Sequence, residues 1–92
     1  MQITFPLFQL GRLFITPAAQ ATLTPEIARD LLHRHQRGDW GDLSEADKLE
    51  NEYSIPRDLR IFSAYNVGEG ERVYIITEAD RSATTILLPE DY

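Results

Sequence analysis

Three short runs fill most of the last third of the chain: RIFSAY at 60–65, RVYIIT at 72–77 and ATTILL at 83–88. Each is rich in β-branched and aromatic residues, the types that suit a pleated, half-buried surface. NVGEGE separates the first pair and EADRS the second. Both connections are of hairpin length and carry turn-forming residues. The spacing predicts an antiparallel three-strand meander. Such a sheet has an apolar face that must be buried against something else, so the first sixty residues have to supply its cover.

They read as one strand and three helices. LFQLGRLFIT, residues 7–16, is apolar and β-branched, with Gly11 in mid-run, which predicts a strand bent or bulged at the glycine. Thr16 followed by Pro17 is a helix N-cap with proline at the first helical position, and predicts a short helix. Thr24 and Pro25 repeat that start for a longer one. In TPEIARDLLHRHQRG, Ile27, Ala28, Leu31, Leu32 and His35 share a face, and Gly38 stands where a C-cap glycine belongs. Arg34 and Arg37 in the last turns suit the helix dipole. Ser44 with Asp47 three residues on predicts a third helix, stopped by Pro56. Its expected apolar stripe is Ala46, Leu49 and Tyr53, with Glu45, Glu50 and Glu52 towards water. The sum is a small α+β domain spanning 1–92. It has a three- to four-stranded antiparallel sheet and two to three helices packed on one face.

A chain of 92 residues buries roughly 60–65% of its unfolded surface, enough for one modest core but not a deep enclosed cleft. There is no cysteine, which excludes disulfides, thiolate catalysis and cysteine zinc sites and fits a cytoplasmic location. No apolar run nears the roughly 18 residues that span a bilayer. The apolar start MQITFPLFQL lacks the basic segment and cleavage site of a signal peptide. The net charge is −6, and residues 44–92 supply all of it, with eleven acidic and five basic side chains against four of each before. Such a balance disfavours direct contact with nucleic-acid phosphates. It permits docking on basic protein surfaces.

HRHQRGDWGDL at 33–43 gathers both histidines, two Gly-Asp pairs and the single tryptophan. His33 and His35, at i and i+2, point to opposite sides of a helix and cannot share a metal. His33 is expected in solvent, and His35 at the edge of the core, donating to a neighbouring main-chain group. GDWGDL has two readings. In one, Gly38 ends the helix, Asp39 and Asp42 bond turn amides, and Trp40 covers the edge of the core. In the other, an exposed loop presents Trp40 between two carboxylates as an interaction hot spot. The loop lacks the ladder of oxygen ligands of a calcium site, so no metal or cofactor is expected.

EADRS packs Glu78, Asp80, Arg81 and Ser82 into a tight turn, with Arg81 expected to pair with Glu78 across the hairpin. A phosphate or sugar site would need a glycine-rich loop, a histidine base and a cavity-sized core, none of which the sequence offers. The acidic run SEADKLENE, together with Glu69, Glu71 and PEDY, forms a docking surface if one side of the domain collects it.

The motifs GDWGDL…DK…N and YIITEADRSATTILLPEDY resemble the small plasmid-related proteins of about a hundred residues carried by bacterial plasmids, integrative elements and phage-like islands. Some of those bear the label of a type I restriction–modification subunit. The likeness covers most of residues 8–92. This chain has neither the S-adenosylmethionine loop nor the catalytic motif of a DNA methyltransferase. The resemblance implies a mobile-element setting in a bacterial cytoplasm, where small acidic proteins block host defences.

The function expected on these grounds is a non-enzymatic, acidic protein-binding module, monomeric or homodimeric. It would inhibit a CRISPR–Cas or restriction complex by occupying one of its working surfaces. The expected contact residues are Asp39, Trp40, Asp42, Glu45, Asp47, Glu50, Glu52, Glu78, Asp80 and Arg81. One alternative is an accessory protein of the mobile element that self-associates through an exposed strand. A small-ligand protein or enzyme would instead require the GDWGDL and EADRS loops to meet around a pocket.

Overall fold

Thr16 and Thr24 each accept a main-chain N–H through the hydroxyl, from Ala19 and Ile27, and each precedes a proline. Two helices therefore begin where the capping signals place them: α1, Pro17–Thr22, and α2, Pro25–Gln36. Gly38 follows α2 with φ +85° and ends it as expected. Ser44 caps α3, Glu45–Ser54, accepting from the Asp47 amide at 3.1 Å. The strands are β1 (Arg12–Ile15), β2 (Ile61–Asn66), β3 (Arg72–Thr77) and β4 (Ala83–Leu87). Single 3₁₀ turns, Ile55–Arg57 and Pro89–Asp91, close the helical and strand segments. The structure, a computed structural model, describes residues 5–92; positions 1–4 of the apolar start lie outside the described residues.

The three C-terminal strands form the expected meander, with Ser63 opposite Ile75 and Ile75 opposite Ile86. The sheet order is β1-β4-β3-β2, and β1 runs parallel to β4, Phe14 beside Thr85. The sheet is therefore mixed, not purely antiparallel as expected. The reason lies in the connection. The chain from β1 crosses through all three helices before it re-enters the sheet at the far edge, and a crossover of that length serves parallel strands. β1 is also shorter than the 7–16 run. Gly11 sits just ahead of it at φ +67° and turns the chain into the sheet.

Alternation assigns the two faces. Ile61, Ser63, Tyr65, Val73, Ile75, Thr77, Thr84 and Ile86 point to the helix side, and all are buried. Ala19 of α1 and Leu31 of α2, with Leu23 between them, complete one apolar cluster with Tyr65, Val73, Ile75, Ile86 and Leu88. Phe8, Trp40 and Ile61 make a second, smaller cluster. α1 and α2 cover this face, and the opposite face carries Phe62, Tyr74 and Phe14. Ile27 stays exposed although it shares the helical spacing of the buried residues.

Candidate functional site

α3 departs most sharply from its sequence pattern. Ala46, Leu49 and Tyr53 point away from the protein, with Leu49 68% and Tyr53 53% exposed. The buried side is polar, made of Asn51 and Ser54. Asn51 faces the outer edge of β2, where its side-chain amide donates to the Phe62 carbonyl (2.6 Å) and its oxygen accepts the Phe62 N–H (3.1 Å). Ser54 turns its hydroxyl back on the Glu50 carbonyl at 2.8 Å. An open strand edge offers N–H and C=O groups rather than apolar surface. A helix laid along it therefore turns its polar stripe inward and its apolar stripe outward.

The outer face has a defined composition. At 3.6 residues per turn, Glu45 and Glu52 flank the Leu49–Tyr53 stripe on one side and Glu50 on the other. Arg57 follows Tyr53 by one turn and stacks on its ring, its guanidinium carbon 3.8 Å from the centroid. Arg57 also donates to the Tyr53 carbonyl at 2.8 Å. Glu45, Glu50 and Glu52 thus border the apolar strip, whereas Asp47 sits on the opposite side of the helix, in line with Asn51 and Ser54.

The remaining expected contact residues scatter. Trp40 is buried at 3% exposure, so the exposed-loop reading fails and the core-covering one holds. Its indole stacks on Phe8 at 6.2 Å, and its N–H donates to Glu52 at 3.1 Å. Burial of so large a ring needs an acceptor for that N–H, and the Glu52 carboxylate supplies it. Asp39 is paired with Arg34, whose Nε lies 2.7 Å from its carboxylate. This hydrogen bond holds the Asp39 carboxyl below its ordinary range and raises the Arg34 guanidinium. Asp42 lies beside Asn66 and Arg72. Gly41, between these two acids, adopts φ +79°, and a Cβ there would sit 2.0 Å from the Ala64 carbonyl oxygen.

At the other end of the sheet Arg81 does not pair with the Glu78 carboxylate. Its guanidinium donates to five main-chain carbonyls: Ser54, Ile55, Leu59, Glu78 and Ala79. The Glu78 carboxylate pairs instead with Arg60 at 3.2 Å. Arg81 thus ties the end of α3 to the β3–β4 turn, which leaves its charge little freedom to meet a ligand. Asp80 accepts the Ser82 N–H, and its bonds to Ser82 lower its carboxyl below the usual range.

His35 is fully buried, not at the core edge as expected, and it bonds to two side chains instead of to main chain. One ring nitrogen, Nδ1, faces Ser63 Oγ at 2.5 Å and the other, Nε2, faces Thr77 Oγ1 at 2.9 Å. Thr77 continues to Thr84 at 2.7 Å, and Thr84 donates to the Leu10 carbonyl at 2.8 Å. That last acceptor orients the whole chain of bonds. Thr84 gives its proton to Leu10, Thr77 gives its proton to Thr84, and Thr77 therefore accepts from His35 Nε2–H. In the neutral ring Nδ1 is then left to accept from Ser63. Burial pushes the His35 pKa down to about 3, in keeping with a ring that has no carboxylate beside it. Serine on histidine is the makeup of a nucleophile and its base. Neither group lines any of three cavities among the described residues, and the bonds the ring makes join β2 to β3 under α2.

Among the described residues the GDWGDL and EADRS loops share none of three cavities. These three, of about 460, 300 and 290 Å³, are lined by none of the ten expected contact residues. Among the described residues no cluster of His, Asp and Glu is placed to hold a metal ion, and no helix is long and apolar enough to cross a membrane. The acidic runs do not merge either: α3 flanks the β2 edge, whereas Asp91 accepts from the Thr16 hydroxyl beside the end of β1. No protein-family model, curated protein or solved structure matches this chain.

Sequence reasoning found the acids of α3 but assigned Leu49 and Tyr53 to the interior. One signal could have placed them outside: Arg57, four residues after Tyr53, suits a stacked pair in solvent.

Proposed function

We propose that this chain is a non-enzymatic protein-binding module that docks through the outer face of α3. The observation that carries the reading is the inverted helix. Leu49 and Tyr53 face solvent at 68% and 53% exposure while Asn51 and Ser54 are buried. A large apolar side chain held in solvent and bordered by charge has the composition of an interaction anchor. Glu45, Glu50 and Glu52 around it favour a partner whose apolar groove has a basic margin. Carboxylates there would steer the encounter more than they would add affinity. Nucleic-acid-handling complexes carry such basic margins, and the resemblance to mobile-element proteins directs the search to restriction and CRISPR–Cas complexes.

The test is a plasmid-interference assay in cells expressing the chain, with capture of the targeted complex on tagged protein. Wild type relieves interference and captures one complex. Leu49→Ser with Tyr53→Ser abolishes both, and Glu45→Lys with Glu50→Lys slows association at low salt. Retention of full activity by the Leu49/Tyr53 double variant, shown to be folded, would overturn the proposal.

A further inference from the structure

The far edge of the sheet carries a second surface, independent of α3. Arg12 and Thr16 donate their N–H groups to the Ser82 and Ile86 carbonyls of the β4 segment. In a parallel ladder, main-chain groups alternate direction along the strand, so those of Leu13 and Ile15 point outward from the sheet. Leu13 is 56%, Phe14 49% and Ile15 36% exposed. Beside them, on the helix side, lies a groove of about 460 Å³ between β1 and α2, walled by Leu13, Ile15, Leu23, Ala28, Leu32 and Ile86. None of the residues lining that groove is charged, in a chain of net charge −6.

We infer that β1 is the self-association strand, pairing antiparallel with β1 of a second copy about a two-fold axis through Phe14. Three features select a second copy over another partner. The first is register. The outward-facing main-chain groups, on Leu13 and Ile15, are symmetric about Phe14, so Leu13 meets Ile15 of the copy in a hydrogen-bonded pair, and the reverse. Phe14 then faces its own equivalent in a non-hydrogen-bonded pair, with Cα atoms about 4.5 Å apart, the close position where aromatic side chains interact best.

The second feature is charge. The same register sets Arg12 across from Thr16 of the copy, and the Thr16 hydroxyl donates to Asp91 at 2.7 Å. Arg12 has no carboxylate partner in its own chain among the described residues; it stacks over Phe14. The dimer therefore brings each Arg12 to an Asp91 of the other copy, twice by symmetry. The third is repulsion. The acidic helix α3 lies along the opposite edge of the sheet, so joining two copies at β1 keeps their α3 carboxylates far apart.

Sedimentation equilibrium of the full chain tests this. The mass rises from 10.6 kDa towards twice that value with concentration, and Phe14→Lys shifts the dissociation constant at least tenfold upward. The register has its own readout, because the chain contains no cysteine. Under mild oxidation Phe14→Cys crosslinks to itself, since a cross-strand Cα separation of about 4.5 Å lies inside the range a disulfide accepts. Leu13→Cys, which faces Ile15 of the copy, does not. A mass of one chain at millimolar concentration overturns the proposal, and so does equal crosslinking at both positions. Neither outcome depends on Leu49 or Tyr53, so failure here leaves the α3 reading standing.

Discussion

The two edges of the sheet are finished in opposite ways. At β2, every outward main-chain group in the middle of the strand has a partner: Asn51 takes both groups of Phe62. The Trp40–Asp42 segment takes both of Ala64, through Ala64 N–H to Trp40 at 3.2 Å and Asp42 N–H to Ala64 at 2.6 Å. At β1 the outward groups of Leu13 and Ile15 meet no described element, and the flanking side chains are apolar. Monomeric proteins blunt open edges with charges, prolines, bulges or covering loops. This chain applies a covering device at one edge and leaves the other short, bounded by Gly11 and Pro17, but apolar. One edge is closed by the chain's own groups; at the other no described element covers the strand.

Acid gives the largest effect by which that contrast can be broken. His35 joins Ser63 of β2 to Thr77 of β3, and through Thr84 to the carbonyl just before β1. Its folded pKa of about 3 lies below the value of 6.5 that an unfolded histidine has. As pH falls below 6.5 the unfolded chain takes up a proton that the folded one refuses. Stability is therefore full above pH 6.5 and declines towards pH 3, by about 1.4 kcal/mol per pH unit and on the order of 5 kcal/mol in all. Urea titrations at pH 7, 6, 5 and 4 measure the slope, and a flat profile would mean that water reaches the ring.

Gly41→Ala comes next. The left-handed backbone and the contact with the Ala64 carbonyl together cost at least about 3 kcal/mol, which thermal unfolding at neutral pH detects. Asn51→Ala leaves both Phe62 groups without a partner, at a cost of about 2–3 kcal/mol by urea unfolding. If that loss is accompanied by new self-association, the amide is also a guard against pairing at this edge. The smallest effect belongs to the open edge: Leu13→Lys alters the stability of the isolated chain by less than about 0.5 kcal/mol. A drop of several kcal/mol there would show that β1 is a core strand and not an interface.

Much of the fold was legible because its signals are local. Thr16-Pro17, Thr24-Pro25 and Ser44 cap helices through hydrogen bonds within three residues of themselves, and hairpin turns depend on the residues they contain. β1 beside β4 was not legible, since nothing in LFQLGRLFIT specifies which strand it will join or in which direction. The site followed the same division. The acids of α3 were named correctly as exposed, whereas the spacing of Ala46, Leu49 and Tyr53 pointed to the wrong side. Periodicity shows that a helix has two faces; what each face meets depends on the neighbour, and here that neighbour is a strand edge with hydrogen bonds to fill. Trp40 shows the same limit, because whether an indole at a turn faces solvent or Phe8 depends on residues far away in the chain.

The sequence by itself determined where the helices start, where the hairpins turn, and that the chain is a small α+β domain. Those outcomes rest on interactions spanning a few residues. Only the tertiary structure decided which edge of the sheet is closed, which face of α3 looks outward, and that His35 is neutral and buried. Each of these depends on groups brought together from distant parts of the chain, whose hydrogen bonds must be satisfied at the same time.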